Sequence, residues 1–214
     1  MTAPEPPKRD RLVIRPYRPA DHHAVSEICV RTAMAGGDAR GAYSDDALMP
    51  DVYARPYLAF APDLAFVADD GGRVVGYVLG VADTDAFVEW WRREWLPEFR
   101  ERHPEPGPPT DRGPAYTEAQ LVADGRRPER MRIPELAGYP AHLHVDLLPE
   151  AQGRGLGRSL IDALRSALAA RGVPGVHLSM DPANVGARAF YDRLGFVELP
   201  SSTAEAPVLG IATS

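Results

Sequence analysis

Apolar positions recur along most of the chain with the periods of strands or helices, and together they predict a mixed succession of both. Residues 12–15 read as a short apolar strand. Asp21 stands as an N-cap before a run in which Ala24, Val25, Ile28 and Cys29 share one face, a first helix ending near Gly36-Gly37. Residues 44–59 predict a second helix, which Pro50 and Pro56 must break or kink. Residues 64–69 and 73–83 form a hairpin across Asp70-Gly71-Gly72. Its second strand is apolar on both faces over 74–81, the pattern of a central strand covered on both sides. An alternating strand at 141–148 precedes a helix over 156–171, with Leu156, Leu160, Ile161, Leu164 and Leu168 on one face and a stop at Gly172. A strand at 176–180, a helix over 184–194 ended by Gly195, a short strand from Phe196 and a last strand at 208–212 complete the pattern.

Residues 84–139 interrupt this rhythm. A helical stretch over 87–102 carries Trp90, Trp91, Trp95 and Phe99. A loop with Pro104, Pro106, Pro108, Pro109 and Pro114 follows, then a short helix over 117–124. The segment is too long for a simple connection. It reads as an insertion that covers the sheet, or as a lid that forms a substrate pocket, and the two roles are compatible. Residues 1–10 read as a flexible tail, which makes 11–214 one domain containing the insertion.

Composition narrows the function classes. The net charge is −6 and no block of basic residues offers a nucleic-acid footprint. No apolar run approaches the roughly 20 residues of a membrane helix, and the N-terminus lacks the apolar core of a secretion signal. The one cysteine, Cys29, excludes an internal disulfide and fits a reducing, cytoplasmic setting. His22-His23 and His142-x-His144 lack a third ligand in register, so no metal site is expected.

The candidate chemistry lies at residues 147–157, LLPEAQGRGLG, where an apolar strand runs into a glycine loop and the loop into an amphipathic helix. Glycines let backbone amides turn inward and a ligand approach closely. The helix start adds unpaired amides and the positive end of its dipole, which together make a pyrophosphate cradle. Arg154 and Arg158 can add charge-assisted contacts. A glycine trio alone also fits a tight strand-to-helix turn. A Walker loop would require Gly-Lys-Ser/Thr, and a dinucleotide loop would come early in the chain with different spacing.

The spacing Gln152-x-x-Gly155-x-Gly157 resembles motif A of the GCN5-related N-acetyltransferase (GNAT) superfamily. Ile14-Arg15-Pro16 with Pro19-Ala20-Asp21 resembles that family's first strand and helix entry, and residues 184–196, NVGARAFYDRLGF, resemble its motif B. Residues 142–149 and 190–195 are similar to the acetyltransferase-like C-terminal domain of O-GlcNAcase, which carries a degenerate loop where this chain has the intact motif. The resemblance implies a GNAT fold: a mixed, mostly antiparallel α/β sheet, its fourth and fifth strands splayed, helices on both faces. It implies acetyl-CoA as cosubstrate and direct transfer of acetyl to an amine of a small molecule or peptide, by a monomer or homodimer. An acetyl-CoA-binding module without activity is the alternative.

The cofactor residues implied are Leu147, Leu148, Gln152, Gly153, Arg154, Gly155, Leu156, Gly157, Arg158 and Ser159, with Asn184, Arg188, Tyr191 and Arg193 from motif B. Backbone amides near Leu147 and Leu148 would polarise the thioester carbonyl. Tyr191 matches the family's general acid. Asn184, Arg188 and Tyr191 share one helical face, with Ala187, Phe190 and Leu194 as the opposing, buried stripe. The base is open between His144 and Asp146, which project with His142 to one side of their strand. Asp181 and Glu118 are outside candidates.

Overall fold

A computed structural model describes residues 12–34, 36–105 and 117–214. The expected tail over 1–10 and Pro106, Pro108, Pro109 and Pro114 lie outside the described residues. Seven strands form one sheet in the order β1-β2-β3-β4-β5-β7-β6. They are β1 Val13–Pro16, β2 Ala65–Asp70, β3 Arg73–Val81, β4 Ala141–Leu147, β5 Gly175–Ser179, β6 Val197–Glu198 and β7 Val208–Ala212. Every neighbouring pair is antiparallel except β4 and β5, which run parallel. The hairpin turns at Gly71-Gly72, with φ of 67° and 89°.

Side chains alternate across β3. One side faces Leu164 of α7 (Leu156–Ala169) across Gly80, and the other, carrying Tyr77, faces Cys29 of α1 (His22–Arg31). The apolar stripe expected for α7 is its buried stripe, Leu156, Leu160, Ile161, Leu164 and Leu168.

Two local expectations are corrected, at Asp21 and at the start of the tryptophan helix, and the break expected in the second helix is located. Asp21 makes no side-chain cap to α1. Its carboxylate accepts from Arg15 Nη1 at 2.7 Å, Arg15 Nη2 at 2.9 Å and the Arg18 amide at 2.8 Å. A bidentate, charge-assisted pair outcompetes a neutral cap. The second helix is two short ones, α2 Leu48–Tyr53 and α3 Arg55–Phe60, broken at Ala54 (φ −131°) because Pro56 cannot continue a helix already under way. The tryptophan helix starts earlier, at α4 Thr84–Trp90, under a cap in which Asp83 accepts from the Ala86 amide at 3.0 Å. It passes through a π-helical segment, Trp91–Trp95, into α5 Leu96–Arg102. Pro97 has no amide to offer the carbonyl four residues back, and the wider turn accommodates that loss.

The insertion is anchored on α2. Asp51, fully buried, takes Arg55 at 2.9 Å, Arg102 at 2.7 Å and His103 at 2.8 Å. Trp95 donates to the Asp51 carbonyl at 3.0 Å, and Tyr53 donates to Asp124 of α6 (Glu118–Arg126) at 3.0 Å. Phe87 packs on Tyr57 and on His142 of β4, so the insertion covers the sheet on the α1 side. Removing the shared carboxylate leaves three cationic or polar groups facing one another. Asp51→Asn is expected to cost about 3 kcal/mol, the low end for breaking a buried ion pair because the arginines reach solvent. Thermal unfolding should show it as a drop of roughly 6–12 °C.

Candidate functional site

The sheet opens where β4 leaves β5. Their pairing stops at His142↔His177, while β4 continues to Leu147. On its other side β4 stays in register with β3 as far as Gly76↔Leu147. The Leu148 amide donates to the Val75 carbonyl at 3.0 Å, which sets the antiparallel alternation. The amides of His144 and Asp146 therefore face β3, and those of Val145 and Leu147 face the open side. Leu148, just past the strand end, is 1% exposed and its amide is already spent on Val75.

A cleft of about 790 Å³ fills the opening. Its walls are the end of β4, the glycine loop with the start of α7, the loop after α1, and α8 (Val185–Leu194). Gly153 and Gly155 have φ of 71° and 78°, and a Cβ on Gly155 would point into open space. Gly155 is the residue from which α7 starts, so the free amides of the first helical turn open beside it. Gly157 serves another purpose: a Cβ there would lie 2.8 Å from the Phe190 ring, so the missing side chain lets α8 close against α7. Gln152 donates to the Leu147 carbonyl at 3.2 Å and ties the loop to the strand end. Asn184 caps α8 by accepting from the Ala187 amide at 2.9 Å.

Asp146 and Tyr191 are the acidic and phenolic side chains that line the cleft. Tyr191 is buried against Phe190 and Phe196. Burial, with the Asp146 charge adding to it, pushes its phenol well above the ordinary range, so it stays protonated near neutral pH. Asp146 is 19% exposed, and burial raises its carboxyl above the ordinary carboxylate range. Tyr77 donates to it at 2.5 Å, and His144 Nδ1 lies 3.7 Å away. His144 stands outside the cleft lining, its ring stacked on Tyr53 with centroids 5.6 Å apart. His142 is structural. Thr84 gives its proton to the Pro140 carbonyl at 2.7 Å, so His142 Nδ1–H donates to Thr84 at 2.8 Å and Nε2 accepts from Tyr57 at 3.0 Å. Desolvation holds that imidazole neutral, its pKa well below the ordinary value. Asp181 and Glu118 do not line the cleft; Glu118 binds Ser44.

Residues 131–196, which include β4, the glycine loop, α7, β5 and α8, match the model of the acetyltransferase (GNAT) family. Along almost its whole length the chain also superposes on the crystal structure of SsHAT, with a TM-score of 0.85 and 53% identity over 95% of this chain and 98% of that one. The chain belongs to the GNAT family. Members of this family are acetyl-CoA-dependent acetyltransferases. The O-GlcNAcase of Rattus norvegicus is 27% identical over 198 residues, 92% of this chain, and its acetyltransferase-like C-terminal domain is a homologue. The GNAT chain spans about a fifth of that protein, 21%. The mycothiol acetyltransferase of Beutenbergia cavernae is 46% identical over 67 residues, 31% of this chain and 22% of that one.

Within this GNAT cleft the motif side chains divide. Leu147, Gln152, Gly153, Gly155, Leu156 and Gly157 line it, as do Arg158, Asn184, Tyr191 and Arg193. Arg154, Ser159 and Arg188 do not. Arg154 pairs with Asp70 at 3.0 Å on the hairpin tip, and Ser159 turns its hydroxyl back to the Gly155 carbonyl. Arg188 pairs with Asp192 at 2.9 Å and Glu198 at 3.0 Å. Of the α8 face expected toward the cofactor, Asn184 and Tyr191 line the cleft and Arg188 does not, while Ala187, Phe190 and Leu194, expected as a buried stripe, line it as well. Tyr77 went unread in the sequence. Its only signal is its place in an apolar strand, and its partner follows from the β3–β4 register. Among the described residues no cluster of histidine, cysteine and carboxylate groups could hold a metal, and no helix is long and apolar enough to cross a membrane.

Proposed function

We propose that residues 11–214 act as one acetyl-CoA-dependent N-acetyltransferase domain, transferring acetyl to an amine of a small molecule or peptide. The observation that carries this reading is that one cleft is lined both by the glycine loop and by Asp146 and Tyr191. The cradle amides and Arg158 would hold the pyrophosphate, and the apolar wall of Ala187, Phe190 and Leu194 the pantetheine arm. The Leu147 amide, aimed at the open side of β4, would carry the oxyanion as the amine attacks the thioester carbonyl. Asp146 takes the amine proton. The C–S bond then breaks, and the departing thiolate takes its proton from Tyr191. Asp146 is preferred to His144 as base because it lines the cleft and the histidine does not.

Titration calorimetry with acetyl-CoA, CoA and ATP, followed by thiol release over a panel of amines, tests the reading. Binding of acetyl-CoA and CoA with release on some amines supports it. Binding with no release on any amine would leave an acetyl-CoA-binding module, and no binding would remove both readings. Tyr191→Phe keeps the ring and deletes the acid. Its kcat is expected to fall about 100-fold with acetyl-CoA affinity within a factor of about three.

A further inference from the structure

We propose that Tyr77 is a positioning residue for acetyl transfer, its buried hydroxyl holding the Asp146 carboxylate in the charged form by a short hydrogen bond. This rests on the reading of Asp146 as the base. Tyr77 is wholly buried on β3, directly opposite Asp146 in the strand register, and its hydroxyl donates to Asp146 Oδ2 at 2.5 Å. A phenol has one proton, so the His144 Nδ1 that lies 3.3 Å from the same oxygen meets its lone-pair side.

The groups facing Asp146 come from four elements: Cys29 at the core of α1 with Thr32 just past its end, Tyr77 of β3, His144 of β4 itself, and Tyr191 of α8. The Thr32 hydroxyl donates to the Ile28 carbonyl at 2.8 Å, so its proton is engaged elsewhere. Among the described residues no arginine or lysine forms an ion pair with Asp146. A carboxylate taken out of water resists ionisation, and the His144 ring 3.7 Å away opposes that only by its charge when protonated. Tyr77 supplies the short hydrogen bond that opposes this. Burial keeps the Tyr77 phenol from ionising, which leaves it a donor throughout the working pH range. A tyrosine present only to fill the core would need no such aim, since phenylalanine fills the same space.

The consequence has a sign. A hydrogen bond to the charged form lowers the carboxyl pKa, so deleting the donor raises it. In Tyr77→Phe the acid limb of kcat/KM, measured with the most reactive amine of the panel, is expected to move to higher pH by roughly one unit. The high-pH plateau should stay within about threefold of wild type. A space-filling role would lower the plateau or the melting temperature and leave the limb in place, and that result overturns the proposal. Carboxyl-carbon NMR of Asp146 in both proteins reads the same shift without an acceptor. Should the variant fail to fold, the wild-type protein still gives a reading. Its buried Tyr77 hydroxyl proton is expected as a slowly exchanging, downfield resonance that moves upfield in Asp146→Asn, and no such change counts against the contact. Full transfer by Asp146→Asn would show that the base reading itself fails. An inactive Asp146→Asn beside an unshifted Tyr77→Phe would overturn the role of Tyr77 alone.

Discussion

Gly155→Glu is expected to abolish measurable acetyl-CoA binding while the protein still unfolds cooperatively. Gly155 has φ of 78°, and a Cβ built on it meets no atom within 4 Å. The first atom of the new side chain therefore meets nothing in the protein, at a residue that lines the cleft. Two penalties fall on the complex. The carboxylate enters the space where the pyrophosphate would sit, and its charge opposes the phosphates at the helix start that should favour them. A loss of at least about 100-fold in affinity corresponds to roughly 2.7 kcal/mol, well within what a misplaced charge supplies. The left-handed backbone costs any non-glycine residue about 1–2 kcal/mol, so Gly155→Ala is the control. It should share the small drop in melting temperature and lose only a fraction of the affinity. Calorimetric titration of both variants reads the difference, and unchanged affinity in Gly155→Glu would remove the glycine loop from the site.

Asp146→Asn is expected to do the opposite: binding stays and transfer goes. The substitution is isosteric, and asparagine can still accept from Tyr77. It cannot take a proton from an attacking amine. Losing a general base lowers kcat by about 10²–10⁴-fold. Acetyl-CoA affinity should change little, because the cradle and the apolar wall are untouched. Thiol release against pH adds a second check. The wild-type rate should rise across an acid limb set above the ordinary carboxylate range, in keeping with the raised Asp146 pKa. That limb should vanish in the variant.

Much of the architecture is readable from local pattern. Most strand and helix positions fall close to expectation because β3 is continuously apolar and α7 carries a clean stripe, although the first helix stops at Arg31, well short of the expected Gly36-Gly37. The glycine loop is readable because its spacing encodes a backbone shape. The failures have a common physical origin in non-local pairing. Asp51 is charged, and a pattern-based reading assigns charge to the surface. Only the folded insertion brings Arg102 and His103 to it. Arg154 and Arg188 lie within the motifs, yet carboxylates from the hairpin tip and from β6 claim them. On α8 the apolar stripe was legible but its meaning was not. A cleft for a long organic ligand is itself lined by apolar side chains, so its wall reads as core. Tyr77 needed the register of two strands separated by the whole insertion.

The thin packing of α8 has a further consequence. Of its ten residues only Tyr191 is buried. The apolar side that would normally bind a helix to its domain borders an open cleft instead. A ligand that fills the cleft supplies the missing half of that contact and becomes part of the protein interior. By mass action, ligand at 100 times its dissociation constant adds about 2.7 kcal/mol to the folded state. The lifetime of the chain under proteolysis would then follow the supply of the molecule it consumes, lengthening when the acetyl donor is abundant and shortening when it is scarce.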